Sequence, residues 1–400
     1  MNKKIVIIVL MVYLILAGEK YSWADNITLQ NWQWHGFAAQ GLIAVDGSDF
    51  VRDDKGVSTQ LTELGLNAST QITSNLRFAA QVVYLDGGNR YFKGGRVDYL
   101  LLDWNFLNTQ QWKGNLYLGR FKNIHWLYSS TRDVPFARPS IILPQSVYFD
   151  GFRDIAVGGD GGALKLTYSD DKLGDFDVNF SYGTSPLSKE QSQLILSDFA
   201  QGRIKQDLDA QASLYWSPAL SQWRFGLSLL NSDFSYKGAQ QDLFTSGKFS
   251  FQFYTLNALY EGEQWEFSSE IYQERFVTTG FYHPAFLKES IGQGMYVQTR
   301  YQLNKDLTFL VRYERFYSNK EDKKGEKLQQ SSDGLIPSYF AFQNDLVIGA
   351  SYDFDNTLKL RLEQHWMEGG ARLTPIVLPN PQVNDQRYWQ ITALQLMYWF

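Results

Sequence analysis

Apolar and polar residues alternate along most of this chain. In residues 223–229 the apolar members are Trp223, Phe225, Leu227 and Leu229, and in residues 358–363 Leu358, Leu360 and Leu362 alternate with Lys359, Arg361 and Glu363. A period of two places one set on each face of a β-strand. From Asp25 onward no stretch of 18 apolar residues occurs and no long stretch has helical spacing, so spanning helices and helical bundles both fail. The alternating runs predict strands near 32–44, 60–69, 75–85, 96–107, 113–121, 159–169, 174–184, 207–217, 220–231, 250–261, 264–275, 292–303, 306–317, 344–354, 357–367 and 388–400. Their length decides the class. It matches the roughly 9 to 11 residues of a tilted membrane-crossing strand, against about 5 or 6 in soluble proteins.

All ten prolines, at 135, 139, 144, 186, 218, 284, 337, 375, 379 and 381, fall between these sixteen runs. A sheet that needs every ladder hydrogen bond requires that. The connections predict tight turns at 169–173, 218–219, 262–263, 304–305 and 355–356, alternating with links of about ten to nearly forty residues. Short turns on one side and long loops on the other imply an all-β fold, a transmembrane antiparallel barrel. Closure leaves no unpaired edge in lipid. The even strand number brings both ends of the barrel to the side of the short turns.

Composition sharpens this picture. The 12 Trp, 24 Tyr and 28 Phe make 16% of the chain, and rings near strand ends such as Trp265, Phe267, Tyr313, Phe316, Tyr398, Trp399 and Phe400 suit interfacial girdles. With 37 basic and 42 acidic residues there is no cationic excess for nucleic acid. The absence of cysteine excludes disulfides and thiolate metal sites, and no cofactor or metal is expected. Residues 1–24 read as a signal peptide: Lys3 and Lys4 precede an apolar stretch too short to span a bilayer, and Ser22-Trp23-Ala24 offers a cleavage site after Ala24. The remainder, residues 25–400, is expected to be the barrel. Losing Lys3, Lys4, Lys20 and Glu19 moves the net charge from −5 to −7.

The final residues, 394–400, keep the alternation and finish on Phe400. This resembles the terminal signal of Gram-negative outer-membrane proteins, which barrel-assembly machinery reads. Taken with a leader and sixteen strands, residues 32–400 resemble the large outer-membrane porins, with the phosphate- or anion-selective group among the possibilities. The resemblance implies a water-filled channel for passive diffusion of small hydrophilic solutes, contact with outer-membrane lipid and lipopolysaccharide, and a homotrimer, for which small outer-face residues such as Ala38 and Ala80 are suited. In porins the loop after the fifth strand folds inward and narrows the pore. Residues 122–158 occupy that position and contain a Pro-punctuated apolar piece, 134–144, that would not stay exposed in water.

The set facing away from lipid predicts the lumen. Its charged members are Glu63, Arg77, Lys165, Asp177, Asp209, Arg224, Glu266, Glu270, Arg300, Arg312, Glu314, Lys359, Arg361 and Glu363, seven of each sign, which implies a wet interior. The candidate constriction comprises Arg120, Lys122, Arg132, Asp133, Arg138, Asp150, Arg153 and Asp154, with His125 beside them. Their cationic excess predicts a weak anion preference, since guanidinium groups grip phosphate and carboxylate oxygens. The competing reading pairs these arginines with the aspartates and pins the loop to the wall. A hydrolase of the outer-membrane phospholipase type is a separate alternative, as is a plugged structural barrel. The four histidines, His35, His125, His283 and His365, form no Ser/His constellation that would support catalysis, so no enzyme is expected.

Overall fold

A computed structural model describes residues 32–53, 56–153, 158–375, 377 and 379–400. The signal-peptide and cleavage-site expectations, and Asp154, lie outside these residues. The strands are β1 (Trp32–Asp46), β2 (Gly56–Ser58), β3 (Thr62–Thr73), β4 (Leu76–Asp86), β5 (Gly94–Asn108), β6 (Trp112–Lys122), β7 (Gly158–Asp170), β8 (Gly174–Thr184) and β9 (Arg203–Ser217). They continue as β10 (Trp223–Lys237), β11 (Gly247–Glu261), β12 (Trp265–Thr279), β13 (Leu287–Gln302), β14 (Leu307–Tyr317), β15 (Phe342–Asp353), β16 (Leu358–Gly369) and β17 (Tyr388–Trp399). Each of the sixteen long strands overlaps one predicted run, with ends that differ by up to six residues. The three-residue β2, which lies against residues 43–45 of β1, has too short a signal to be read.

Each long strand pairs antiparallel with its chain neighbour. β1 closes the sheet on β17 from Phe37↔Trp399 to Asp46↔Gln390, giving a sixteen-stranded barrel with β2 as an added flap. All ten prolines lie outside the strands. Three turns use one device: Asp170, Asn304 and Asp355 each accept, through a side-chain oxygen, the backbone N–H groups two and three residues on. The turn after β9 spans 218–222 rather than the expected two residues, because β10 starts only at Trp223. Links at the other end run from seven residues, 87–93, to the 35 of 123–157. Two short helices, α1 (Lys189–Leu196) and α2 (Glu326–Ser331), sit in these loops.

The outer face is apolar around the wall. Leu42, Leu66, Leu100, Leu118, Leu227, Leu256, Ile271, Val311, Ile348 and Leu394 are each more than a third exposed, a surface suited to lipid rather than water. Next to the turns an aromatic chain follows the rim, with rings of Trp112, Tyr168, Phe176, Trp216, Phe225, Trp223, Tyr260, Phe267, Trp265 and Tyr301 in successive contact. Phe316 and Trp399, expected in this girdle, instead point inward. Phe316 is 2% exposed in the core, and the Trp399 ring stacks on Phe136 at 4.9 Å.

Toward the loops the alternation changes sides. In β11, Leu256 is outside and Thr255 and Asn257 are buried inside. Higher up the same strand, Phe249, Phe251 and Phe253 are the buried inner set and Ser250 and Gln252 face out. β10 does the same, with Phe225, Leu227 and Leu229 exposed but Leu230, Phe234 and Tyr236 buried. The outer face there is polar instead: Arg275 bonds Glu289, and Asn344 and Arg387 both bond Glu368. A lumen lined with phenylalanine on one half must be filled there, and the long loops fill it.

Candidate functional site: a loop held inside the barrel

The segment after β6 enters the lumen and packs against the far wall. Its apolar piece behaves as its composition demands. Pro135–Ala137 form a single 3-10 turn, Phe136 lies between Phe37 and Trp399, and Ile141 and Ile142 are buried with Met367, Trp389 and Ile391. Further on, Val147 and Tyr148 join Trp126, Phe253 and Tyr272 in the largest core cluster. Burying a side chain of this size stabilises by about 1.5–3 kcal/mol, so the inward position is favoured before any charge is considered.

Wall glutamates then hold the loop backbone. Glu363 accepts the N–H of Ile141 at 2.5 Å and of Ile142 at 3.2 Å. Glu314 accepts from Ser146 N at 2.6 Å, and Glu270 from Leu127 N at 3.0 Å while also taking the Tyr148 hydroxyl. Arg312 donates to the Ile142 carbonyl at 3.0 Å and Arg361 to that of Pro135 at 3.0 Å. These satisfy backbone groups that a buried irregular segment would otherwise leave unpaired.

The charges of the loop close a chain of ion pairs. Arg138 forks onto Glu63 at 2.9 and 2.6 Å, and Arg153 reaches Glu63 at 3.3 Å and Asp133 at 2.5 Å. Lys122 bridges Asp133, at 2.6 Å, and Asp98. On the other side Arg132 meets Asp150 at 2.9 Å, with Arg90 3.5 Å from the same carboxylate. Glu63 also accepts from Gln395 at 3.1 Å. Burial alone would raise the Asp133 carboxyl, but the charges of Arg153 and Lys122 outweigh it and hold that group well below the usual carboxylate range. His125, buried and then repelled by Arg132, is pushed down to about 3 and stays neutral.

Seven of the expected constriction residues are described, and six of them, Lys122, Arg132, Asp133, Arg138, Asp150 and Arg153, meet in this network. Arg120 does not. It shares the outer face with Leu118 and bonds Asp160 on β7 twice, at 2.7 Å each. Period two gives this placement, since Arg120 stands two residues after the outward Leu118; only its position bordering the loop groups it with the constriction. Asp98 and Arg90 escaped notice for other reasons: a bulge opposite Gln81 and Val82 breaks the alternation around Asp98, and Arg90 stands in a loop.

The expectation of a uniformly wet lumen is corrected. Of the fourteen inward charges, Glu63, Asp209, Glu270, Arg312, Glu314, Arg361 and Glu363 are at most 3% exposed. They are dry because the loop covers them and supplies their partners. The other seven, Arg77, Lys165, Asp177, Arg224, Glu266, Arg300 and Lys359, are half-buried or exposed at the turn end. Their pairs are looser: Arg300 to Glu266 is 2.6 Å, but Lys165 and Arg224 lie 3.7 and 3.8 Å from Asp177. Among the loop and wall residues around Glu63 the free space is about 10 Å³, and beside Trp126 and Phe253 about 20 Å³, room for about one water each. The barrel is therefore a wet vestibule on the turn side leading to a packed half on the loop side.

No family model and no curated protein matches this sequence. Solved structures do match. The outer membrane channel DcaP of Acinetobacter baumannii superposes with a TM-score of 0.57 at 12% identity, covering 92% of this chain and 97% of that one. The fold is that of the outer-membrane porins. An anion-selective porin from Comamonas acidovorans gives 0.56 at 11% identity over 92% and 99% of the two chains, and the outer-membrane OmpT of Vibrio cholerae 0.56 at 12% over 92% and 97%. At these identities the porin likeness concerns the path of the chain around the barrel.

Proposed function

We propose that this chain is an exported, outer-membrane porin-type channel in which the segment 122–158 sets the bore and small hydrophilic solutes diffuse passively through what it leaves open. The observation that carries the reading is the loop itself, seated inside the barrel beyond a charged, wet vestibule. A narrow passage fits the packed half better than a wide general pore. Five cations of the network, Arg90, Lys122, Arg132, Arg138 and Arg153, stand against four carboxylates, Glu63, Asp98, Asp133 and Asp150. That excess of one supports a weak anion preference rather than a strong one. The reversal potential of the purified protein in a planar bilayer under a salt gradient should shift toward the anion side, and the double variant R132Q/R138Q should move it toward cations. Cation preference in the wild type would overturn the preference and leave the channel.

A second reading, a plugged barrel, draws on the seven buried wall charges; it predicts no conductance steps. Catalysis is not part of our reading. His365 has Nδ1 2.8 Å from Asp345 and Nε2 3.5 Å from Glu363, so both ring nitrogens face carboxylates and neither is free to activate a hydroxyl. By the same reading the partners are outer-membrane lipid and lipopolysaccharide, the barrel-assembly machinery and two further copies of the chain. Crosslinking in membranes should then give a trimer.

A further inference from the structure

The inner wall is not filled evenly around the barrel. Asp160, which bonds Arg120 on the outer face, and the exposed Phe180 and Tyr182 fix the parity of β7 and β8, so Gly159, Gly161 and Ala163 of β7 and Ser181 and Gly183 of β8 line the inside. Followed across the sheet from β7 to β11, one inner row reads Gly161, Gly183, Asp209, Ser232 and Phe251, and the next reads Ala163, Ser181, Gln211, Leu230 and Phe253. Inward side chains therefore grow from almost nothing on β7 to phenylalanine on β11. One row nearer the turns, Lys165 and Asn179 carry the bare strip down to the wet vestibule.

Two cavities follow this strip. A small one of about 20 Å³, room for about one water, lies against Ala163, Lys165, Asn179 and Ser181, and a larger one of about 240 Å³ lies toward the loop end against Gly158, Gly159 and Ser185. Lys122 lines both. Its ammonium sits between Asp98 and Asp133, and beside it the root of the loop is tied to the wall: Ser213 Oγ donates to the Ile124 carbonyl at 2.5 Å and Ser181 Oγ to Asn123 Oδ1 at 3.2 Å. The cations lining the two cavities are Arg96, Arg120, Lys122, Arg153 and Lys165, and the carboxylates are Asp98 and Asp133. With Asp160 and Asp177, which pair with Arg120 and Lys165, five positive charges stand against four negative ones.

We propose that solutes cross the packed half along this strip, between β6–β8 and the root of the loop, and that Lys122 is the residue that selects them. The route admits narrow, hydrogen-bonding solutes, passed from the amide and hydroxyl groups of Asn179 and Ser181 to the Lys122 ammonium, where a negative charge on the solute is favoured. Everywhere along it the wall offers backbone or short polar side chains, whereas the β10 and β11 side is closed by packed rings. The inference rests on the channel reading above and adds to it a route and a selecting residue.

The chain has no cysteine, so one introduced thiol reports on one position. At Gly159 an added Cβ meets its nearest atom, the Thr184 nitrogen, at 3.4 Å, an ordinary contact that the fold accommodates. In planar bilayers the single-channel conductance of G159C and of A163C should fall at least twofold on reaction with a bulky neutral methanethiosulfonate and return when a reductant removes the added group. Reversal within one folded channel separates blockage from misfolding. T308C, on the inner face of β14 in the vestibule, should keep its conductance after the same reaction. K122Q should shift the reversal potential under a salt gradient toward cations further than R132Q/R138Q does. No block at G159C and A163C while the wild type conducts, or an equal block at T308C, would overturn the route, and a K122Q shift no larger than that of R132Q/R138Q would overturn the role of Lys122. A wild type without conductance steps would overturn the channel reading and the route together.

Discussion

Glu63 is the residue on which the inner network turns. It neutralises Arg138 and Arg153 at once, at 1% exposure, and bonds Gln395 of the closing strand. Glu63→Gln keeps the shape and removes the charge, leaving two buried guanidinium groups short of a partner, a loss of about 3–5 kcal/mol for a buried pair. The variant should unfold at lower temperature in detergent and show noisier, larger conductance as the loop loosens; an unfolding midpoint equal to the wild type would contradict the network's role. Asp133 adds a pH statement. Its carboxyl is held below the usual range, so the stability it contributes is present above the ordinary carboxylate value and is lost only as pH falls through the depressed one. At this scale the sequence was partly legible: strand parity placed Glu63, Glu270, Glu314 and Glu363 inside. What they touch was not legible: Glu270, Glu314 and Glu363 accept from backbone N–H groups of a loop, which no side-chain pattern encodes, and Glu63 meets arginines that lie about 75 and 90 positions away in the chain.

At the scale of elements, all sixteen long strands followed from alternation, and the proline positions supported them. Loop-side ends were read short, as at β12 (Trp265–Thr279) and β13 (Leu287–Gln302) against the expected 264–275 and 292–303. The reason is the inversion of faces: once phenylalanines point inward and glutamines outward, an apolar-to-lipid rule loses its footing. Loop-to-loop contacts carry their own prediction. Asp49, in the link after β1, takes its backbone hydrogen bond to Asn384 Oδ1 at 2.9 Å, and burial raises its carboxyl to about 6, with Asp53 adding repulsion against the lowering effect of Asn384. A raised value means that this contact is firmest below the ordinary carboxylate value and weakens as pH rises through about 6. Hydrogen exchange at the amides of Asp49 and Phe50, corrected for intrinsic rates, should be slower near pH 5 than near pH 7. The opposite order would remove Asp49 from the contact.

For the whole molecule, a mean hydropathy of −0.32 suggests a soluble protein, yet the fold is a barrel with lipid-type surface outside, because only every second strand residue is spent there. The 16% aromatic content serves two ends that composition cannot separate, a girdle beside the turns and a dry filling beneath the loops. The filling sets the character of the molecule: a porin-type barrel whose loop-side half is closed down by its own third long loop. The direct test replaces residues 134–144 with a short Gly-Ser linker and compares single-channel conductance with the wild type in planar bilayers. The wild type should show small discrete steps, and the variant steps several-fold larger. Equal conductance in the two, or a wide-open wild-type pore, would contradict it.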